Sequence, residues 1–324
     1  MPQSVKSVYD YIIIGAGSAG CVVAARLSDD PGIHVLLLEA GGPDTHEAVE
    51  NPVKWPTLFY GELDWGYRTT PQRHAANRVV HCPRGKMLGG CHSHNANAWV
   101  HGHRTDFDNW AYQGNPGWDF KSILPIYKKI EDYAGGANEY RGVDGPLYME
   151  LPNDPNPIAQ AFVEAGREIG LPVVEDNNAA QMEGVSYFNL TIKNGKRNSV
   201  ARTYLHPAMQ RPNLTVLTHA ETRRLLFEGT RCRGVEYVLR GELRTARADQ
   251  EIILCAGAIG SPRVLLLSGL GPAEELKPLG IPVLVDLPGV GRNLQDHILL
   301  AGLNYECKAD LPKPKNNCAE STMW

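Results

Sequence analysis

Residues 9–20 read YDYIIIGAGSAG, and this stretch decides the fold of the chain. Tyr11 to Ile14 form a short apolar run with three β-branched residues, which is typical of a parallel strand covered on both faces. Gly15, Gly17 and Gly20 follow with the spacing G-x-G-x-x-G. The pattern predicts a buried strand that turns tightly through glycines into a helix.

The three glycines have separate roles in such a turn. Gly15 allows the tight bend, Gly17 lets the backbone approach a pyrophosphate, and Gly20 permits close packing of helix on strand. The free N–H groups at the helix start favour phosphate binding. The motif therefore predicts a dinucleotide site in a Rossmann-like α/β domain, and the alternative is a glycine turn that only packs a helix onto a sheet.

An acidic residue supports the dinucleotide interpretation. The segment His34–Glu39 is predicted to be the second strand, and Glu39 stands at its end, where a carboxylate accepts a hydrogen bond from a ribose hydroxyl. A negative charge there would repel a 2′-phosphate. FAD or NAD is therefore favoured over NADP.

Composition excludes several partners. The 324 residues carry a net charge of −4, which gives no reason to expect nucleic acid or an anionic membrane surface as a partner. No apolar run is long enough to span a bilayer, and no signal peptide is expected before the first strand. Seven scattered cysteines without a C-x-x-C pair indicate reduced thiols, so a cytoplasmic protein is expected.

Further elements follow from local patterns. Helices are expected at 119–134 and 158–169, and a strand at 184–193. Residues 214–246 suggest a small β-meander with charged turns, followed by a separate buried strand at 251–257. Ser261-Pro262 is expected to cap a helix over 263–267, and residues 287–297 to turn into a short helix.

Three blocks of this sequence resemble the glucose–methanol–choline (GMC) oxidoreductases, nearest to their choline oxidase and choline dehydrogenase branch. They are the 15–20 fingerprint with Glu39, the segment GKMLGG at 85–90 with Asn95, and the segment GAIGSPRVLLLSGLG at 257–271. The stretch GVGRNLQDH at 289–297 is a further hallmark. The resemblance extends from about Tyr9 to His297.

The resemblance implies an FAD-dependent oxidoreductase that acts on the CH–OH group of a primary alcohol. A base takes the hydroxyl proton, the α-carbon hydride passes to the flavin, and oxygen or another acceptor reoxidises it. Thr222 stands where the family holds the adenine end. The full set of implied FAD contacts is Gly15, Gly17, Ser18, Ala19, Gly20, Glu39, Gly89, Gly90, His94, Asn95, Ala96, Ala98 and Thr222.

His94 stands where choline oxidase carries the histidine covalently attached to its flavin. The resemblance thus implies covalent FAD through His94, and the alternative is an ordinary polar histidine near the ligand. A metal site built from His92, His94, His101 and His103 is disfavoured, because no carboxylate or cysteine completes a known ligand spacing.

Two positions bear on the substrate. Trp55 matches a tryptophan of the choline oxidase aromatic cage, where an indole face can hold a quaternary ammonium, although a lone tryptophan more often only packs. Leu299 replaces a glutamate that faces the cationic head in that enzyme, and Ala96 replaces a serine facing the flavin. A neutral or larger primary alcohol is therefore at least as compatible with this sequence as choline.

The resemblance also implies a division into domains. The FAD-binding domain is expected at 1–152 and 196–306, with a substrate-domain segment at 153–195 and the start of a truncated part at 307–324. The family's catalytic histidine lies in a C-terminal region beyond Trp324, so no catalytic residue is assigned, no metal is expected, and the fragment is expected to be inactive by itself. The alternatives are a flavin- or nucleotide-binding module without turnover and an NAD-dependent dehydrogenase. A homo-oligomer is compatible with the oxidoreductase and with both alternatives.

Overall fold

The fold is described from a computed structural model, which covers residues 7–297, 306, 308 and 310–324. The chain divides into two compact units. The first unit comprises residues 1–44, 60–93 and 200–306, and the second comprises residues 45–59, 94–199 and 307–324. The functional boundaries at 152/153, 195/196 and 306/307 stay a prediction.

A six-stranded sheet forms the centre of the first unit. Its strands in chain order are β1 (Val8–Ile14), β2 (Val35–Leu38), β3 (Leu214–Leu217), β4 (Ala220–Glu228), β5 (Arg231–Leu239) and β6 (Glu242–Leu254). The order across the sheet is β3-β2-β1-β6-β5-β4. Strands β3, β2, β1 and β6 run parallel, and β5 and β4 extend the sheet in antiparallel fashion. The predicted Rossmann-like α/β architecture is confirmed.

The apolar run of β1 is buried because both faces of the sheet are covered. Ile13 belongs to a core cluster that also contains buried residues of the helix Ser18–Leu27. Ile12 and Ile14 belong to a second cluster with Leu36 of β2. Successive residues of a strand point to opposite faces, so a continuous apolar run is what a doubly covered strand requires.

The β-meander predicted at 214–246 is confirmed for β4, β5 and β6, which pair consecutively in antiparallel fashion, but it is wrong for the strand at 214–217. Leu214–Leu217 pairs in parallel with β2 at one edge, whereas the following strands lie on the other side of β1. The strands predicted at 243–246 and 251–257 are one continuous strand, β6. Its middle part carries exposed charged residues that interrupt the apolar pattern, and that interruption looks like a turn in the sequence.

Two local predictions near the third family block were also wrong. The helix there is Gly257–Leu267, so Ser261-Pro262 lies inside it and does not cap it. Residues 292–297 contain no helix. The other short elements of this unit are the helices His206–Ala208 and Ala273–Leu276, the turns of 3₁₀ helix Arg73–Ala75, Gly90–Ser93 and Lys277–Leu279, the π-helical turn Ala201–Leu205, and the strands Tyr67–Arg68, His81–Cys82, Leu270–Gly271 and Val285–Asp286.

The second unit contains longer helices and short strand pairs. Its helices are Glu47–Glu50, Trp55–Leu58 (3₁₀), Arg104–Tyr112, Phe120–Ile130 and Pro157–Glu168, and its strands are Ala98–Trp99, Glu131–Tyr133, Leu147–Met149, Val185–Tyr187, Asn189–Leu190, Ile192–Lys193, Lys196–Arg197 and Ser321–Met323. The predicted helix at 158–169 is confirmed within one residue at each end. The helix predicted at 119–134 ends at Ile130, where a strand begins.

Candidate cofactor site

The carboxyl ends of β1, β2 and β6 border a cleft of about 460 Å³ in the first unit. In open α/β sheets, ligands bind at this edge of the parallel strands. The cleft is lined by residues 14, 15, 17–19, 38–40, 65, 67, 84, 85, 90, 91, 220–222, 254–261, 263 and 264. Of the residues predicted for FAD, it therefore brings together Gly15, Gly17, Ser18, Ala19, Glu39, Gly90 and Thr222.

The three fingerprint glycines meet different surroundings. A Cβ atom on Gly15, whose φ is +93°, would lie 2.6 Å from the carbonyl oxygen of Cys255, and one on Gly20 would lie 1.9 Å from the carbonyl oxygen of Gly15. Gly17 has no atom within 4 Å of its Cβ position. Gly15 and Gly20 are thus required by packing, whereas Gly17 borders open space in the cleft. This is the arrangement that backbone approach to a pyrophosphate needs.

Glu39 is buried at the end of β2, and backbone N–H groups hold its carboxylate. The N–H of Ala16 donates to Oε2 at 2.8 Å, and the N–H of Gly41 donates to Oε1 at 2.8 Å. Burial raises the pKa of the Glu39 carboxyl, while these two hydrogen bonds and the charge of Lys86 act in the opposite direction. Each oxygen keeps a further lone pair, so the carboxylate can still accept a hydrogen bond from a ribose hydroxyl.

The loop at residues 85–93 packs directly against the glycine fingerprint. The N–H of Gly89 donates to the carbonyl oxygen of Ala16 at 2.7 Å. Gly90 has a φ of +51°, and its Cβ position lies 2.8 Å from the Cα atom of Gly17. Gly89 and Gly20, which were also predicted to contact FAD, do not line the cleft. Two of the three sequence blocks therefore form one continuous wall.

Three polar atoms at the cleft have no hydrogen-bond partner among the described residues. They are the Thr222 hydroxyl, the Tyr67 hydroxyl and the Nε of Arg263. The Tyr67 ring stacks on Trp65 with 5.5 Å between centroids, and the Arg263 guanidinium lies over Trp65 at 5.1 Å. An aromatic surface with unpartnered polar groups at its edge suits a heterocyclic base.

Trp65, Tyr67 and Arg263 are site residues that the sequence alone does not predict. For Arg263, the available signal is its place in the 257–271 block, which indicates the family but not the contacts of individual side chains. Trp65 and Tyr67 lie in a proline-broken, polar region that lacks a period of either two or 3.6 residues.

The remaining predicted residues belong to the second unit. His94 is buried, and its ring centroid lies 4.9 Å from that of Phe59. Asn95 is exposed, and its side-chain oxygen accepts hydrogen bonds from Arg197 Nη1 at 2.9 Å and from the N–H of Asn97 at 3.1 Å. Ala96 precedes the short strand Ala98–Trp99, which pairs with Asn189–Leu190.

Trp55, which was predicted to contact substrate, is also in this unit. Its indole N–H donates to Oδ1 of Asn317 at 2.8 Å, and its ring meets Phe59 edge to face. Leu299, on which the argument against choline rested, lies outside the described residues.

None of the helices in residues 7–297 and 310–324 has the length and apolar character needed to cross a membrane. Within the same part of the chain, no three histidine, cysteine, aspartate or glutamate side chains are grouped so as to hold a metal ion.

A parallel sheet that ends at a glycine-rich loop and a buried acid defines a dinucleotide-binding protein. The family model described as GMC oxidoreductase matches residues 9–299, and the chain belongs to that family. The predicted family is thereby confirmed.

Similar proteins have about twice the length of this chain. It is 46% identical over 301 residues to human mitochondrial choline dehydrogenase, a match that covers 90% of this chain and 51% of the relative. The structure of pyridoxine 4-oxidase from Mesorbium loti superposes with a TM-score of 0.86 at 42% identity, covering 89% of this chain and 57% of that one. The structure of an FAD-dependent oxidoreductase from Chaetomium thermophilum superposes with a TM-score of 0.82 at 35% identity, and the match covers 89% of this chain and 52% of that one. The chain spans about half the length of the curated relatives it matches.

Proposed function

We propose that this chain is the FAD-binding part of an oxidoreductase that acts on the CH–OH group of a primary alcohol. The observation that carries the proposal is the open space at Gly17, beside the buried Glu39 carboxylate, in a cleft at the carboxyl ends of parallel strands. Membership in the GMC family and similarity to an FAD-dependent oxidoreductase support FAD over NAD.

The residues of the cleft fit this cofactor. The backbone of Gly15, Gly17, Ser18 and Ala19, at the positive end of the helix Ser18–Leu27, would bind the pyrophosphate. Glu39 would accept from the ribose hydroxyls. At the adenine end, the unpartnered Thr222 and Tyr67 hydroxyls would find partners, and Trp65 would supply an aromatic face.

The loops around the second block would serve the flavin ring. Gly90 would bring the backbone close to it, Gly89 would hold that backbone against Ala16, and Asn95, Ala96 and Ala98 would border it. Attachment through His94 is part of this proposal. It is supported by the burial of the His94 ring, because burial restricts the motion of an attaching side chain.

When bound, FAD supplies the acceptor for the hydride of the alcohol α-carbon. The protein binds and orients the alcohol, with Trp55 as the proposed contact, and a base must remove the hydroxyl proton. We assign no residue of this chain to that base. Oxygen or another acceptor completes turnover.

A cytoplasmic location is also part of the proposal. The thiols of all six cysteines in the described part are free, which supports it.

The visible spectrum of the purified chain, before and after acid precipitation, tests the cofactor. We expect a flavin spectrum whose colour stays in the pellet, and a His94→Gln variant should release the colour to the supernatant. If the unmodified chain releases its colour to the supernatant, FAD is bound, but it is not attached covalently through His94. A chain that stays colourless after incubation with FAD would contradict the proposal.

Anaerobic addition of an alcohol tests the catalytic part. We expect the bound flavin to stay oxidised with choline, ethanol or benzyl alcohol, which is also what a binding module without turnover would show. Bleaching by any of them would place the base within these 324 residues and contradict this expectation.

A further inference from the structure

The segment Asn316–Glu320 connects two separate parts of the second unit, one at residue 53 and the other at residues 153–156. Asn316 donates to the carbonyl oxygen of Asn153 at 3.0 Å, and Glu320 accepts from the N–H of Asn156 at 2.7 Å. The thiol of Cys318 donates to the carbonyl oxygen of Val53 at 3.1 Å. These contacts hold residues 53, 153 and 156 to one short segment.

Asn317 lies at the centre of this segment and is 2% exposed. Its Nδ2 donates to the carbonyl oxygen of Ala96 at 2.6 Å, and its Oδ1 accepts from the indole N–H of Trp55 at 2.8 Å. The N–H of Ala319 also donates to Oδ1, at 3.2 Å. Both ends of one amide are therefore used, one on the loop after His94 and the other on Trp55.

A row of rings connects the same two places. Trp55 and Phe59 meet edge to face with centroids 5.5 Å apart, and Phe59 and His94 are 4.9 Å apart. Trp55 is thus in contact with His94 through one ring. Asn317 connects the same two places a second time, because it bonds to Trp55 and also to Ala96, two residues after His94.

We propose that Asn317 is a positioning residue that sets the direction of the Trp55 indole and fixes the loop 94–98. Its consequence for the flavin and the substrate rests on the function proposed above. An amide is needed because one group must donate to a carbonyl oxygen and accept from an indole N–H. Aspartate keeps only the acceptor, and leucine keeps neither.

The position of Trp55 can be tested on the chain without any cofactor. The indole ¹H–¹⁵N resonance of Trp55 is assigned with Trp55→Phe and then followed in Asn317→Leu and Asn317→Asp. We expect the resonance to move to that of an indole without a hydrogen bond in Asn317→Leu and to keep its place in Asn317→Asp. An unchanged resonance in Asn317→Leu would overturn the proposal.

The loop is tested by flavin incorporation. Because a misplacement of about 1 Å in a reacting geometry costs on the order of 10²-fold in rate, both Asn317 variants should incorporate FAD at least about tenfold more slowly. If FAD is bound without a covalent bond, the dissociation constant of FAD is measured in place of the incorporation rate. Asn316→Ala is the matched control, since the Asn316 side chain donates to Asn153 and Glu320 and not to the Trp55–Ala96 pair, and it should leave incorporation unchanged.

The outcomes separate the two proposals. If Asn316→Ala slows incorporation as much as the Asn317 variants do, the segment has only a structural role and the inference is wrong. If the unmodified chain takes up no flavin, the proposed function fails, and the indole resonance still decides the role of Asn317.

Discussion

Gly90 lies against Gly17 so closely that a Cβ atom added to Gly90 would be 2.8 Å from the Cα atom of Gly17. The two residues are far apart in the chain, yet their backbones form one surface at the edge of the cleft. Because Gly17 itself has no neighbour within 4 Å of its own Cβ position, the open side of this surface faces the space proposed for the pyrophosphate. In this pair of glycines, Gly90 is thus required for packing, and Gly17 is the member that we propose for binding.

Alanine substitutions should separate these two roles. We expect Gly17→Ala to keep the thermal unfolding midpoint and to lose FAD binding, because the new methyl group enters ligand space and its φ of −76° is allowed for alanine. Gly90→Ala should destabilise the chain by about 1–3 kcal/mol, since both its positive φ and its neighbour oppose a side chain. Calorimetry combined with flavin titration would measure both, and a destabilised Gly17→Ala variant would contradict the assignment.

Removing the charge of Glu39 should weaken FAD binding. A hydrogen bond to a charged group contributes about 1.5–3 kcal/mol, so we expect Glu39→Gln to raise the dissociation constant about 10- to 100-fold. Glu221→Gln is the control, because Glu221 also lines the cleft but pairs with Arg263. An equal effect of both changes would indicate a general electrostatic influence and no ribose contact.

The raised pKa of Glu39 has a consequence for stability. Ionisation of a buried carboxyl costs free energy in the folded state. This cost is absent below the unfolded pKa of 4.5 and develops as the pH rises through the folded pKa. In the cofactor-free chain, the free energy of unfolding relative to Glu39→Gln should therefore increase as the pH is lowered toward 4.5. A difference that does not vary with pH would contradict this.

Two cysteines should differ strongly in reactivity. Burial raises the pKa of the Cys21 thiol to about 12, and its Sγ lies 3.1 Å from the carbonyl oxygen of Ala16, so it should not react in the native state. Cys91 is exposed and lines the cleft, so it should react readily with a disulfide reagent and be protected by FAD. The Cys91→Ser variant should lose the protected fraction. Unprotected modification of Cys91 would contradict its place at the cofactor.

Those parts of the first unit could be predicted from the sequence for which a short segment contains the complete pattern of a strand, a turn or a binding residue. The run at Tyr11–Ile14, the glycines after it and Glu39 all act locally, and the structure places them as expected. The course of β6 could not be predicted, because its charged middle part is exposed at the sheet and resembles a turn. The periodicity of apolar residues reflects which positions are buried, so the part of a strand that extends beyond the core does not show this periodicity.

The grouping of Trp65, Tyr67 and Arg263 at the cleft could not be predicted from the sequence either. These side chains come from an irregular segment and from a helix almost 200 residues later, and only the tertiary fold brings them together. Asn317 is a similar case, since its two partners, Trp55 and Ala96, are more than 200 residues earlier in the chain. An isolated asparagine has no local pattern that reveals such contacts.

The second unit has a buried ionic network whose loss should be measurable. Oε1 of Glu131 lies 2.6 Å from Nε2 of His101, and Oε2 accepts from Nε of Arg141 at 3.1 Å. Arg141 also donates to Asp176 at 2.7 Å. Glu131→Gln removes the charge that pairs with a fully buried guanidinium, so we expect a loss of about 3–5 kcal/mol in the free energy of unfolding at neutral pH.

The pH dependence of this loss identifies its cause. Burial by itself would raise the pKa of the Glu131 carboxyl, but the hydrogen bond from His101 and the charge of Arg141 hold it below the ordinary 4.5. The stabilisation is therefore complete above pH 4.5 and is lost as the pH falls through the folded pKa. In urea unfolding the difference between Glu131→Gln and the unmodified chain should shrink as the pH is lowered below 4.5. Glu242→Gln, which changes an exposed pair with Arg244, should leave the midpoint unchanged at every pH. If the loss in Glu131→Gln is the same at all pH values, the side chain contributes by packing and its charge does not stabilise the unit.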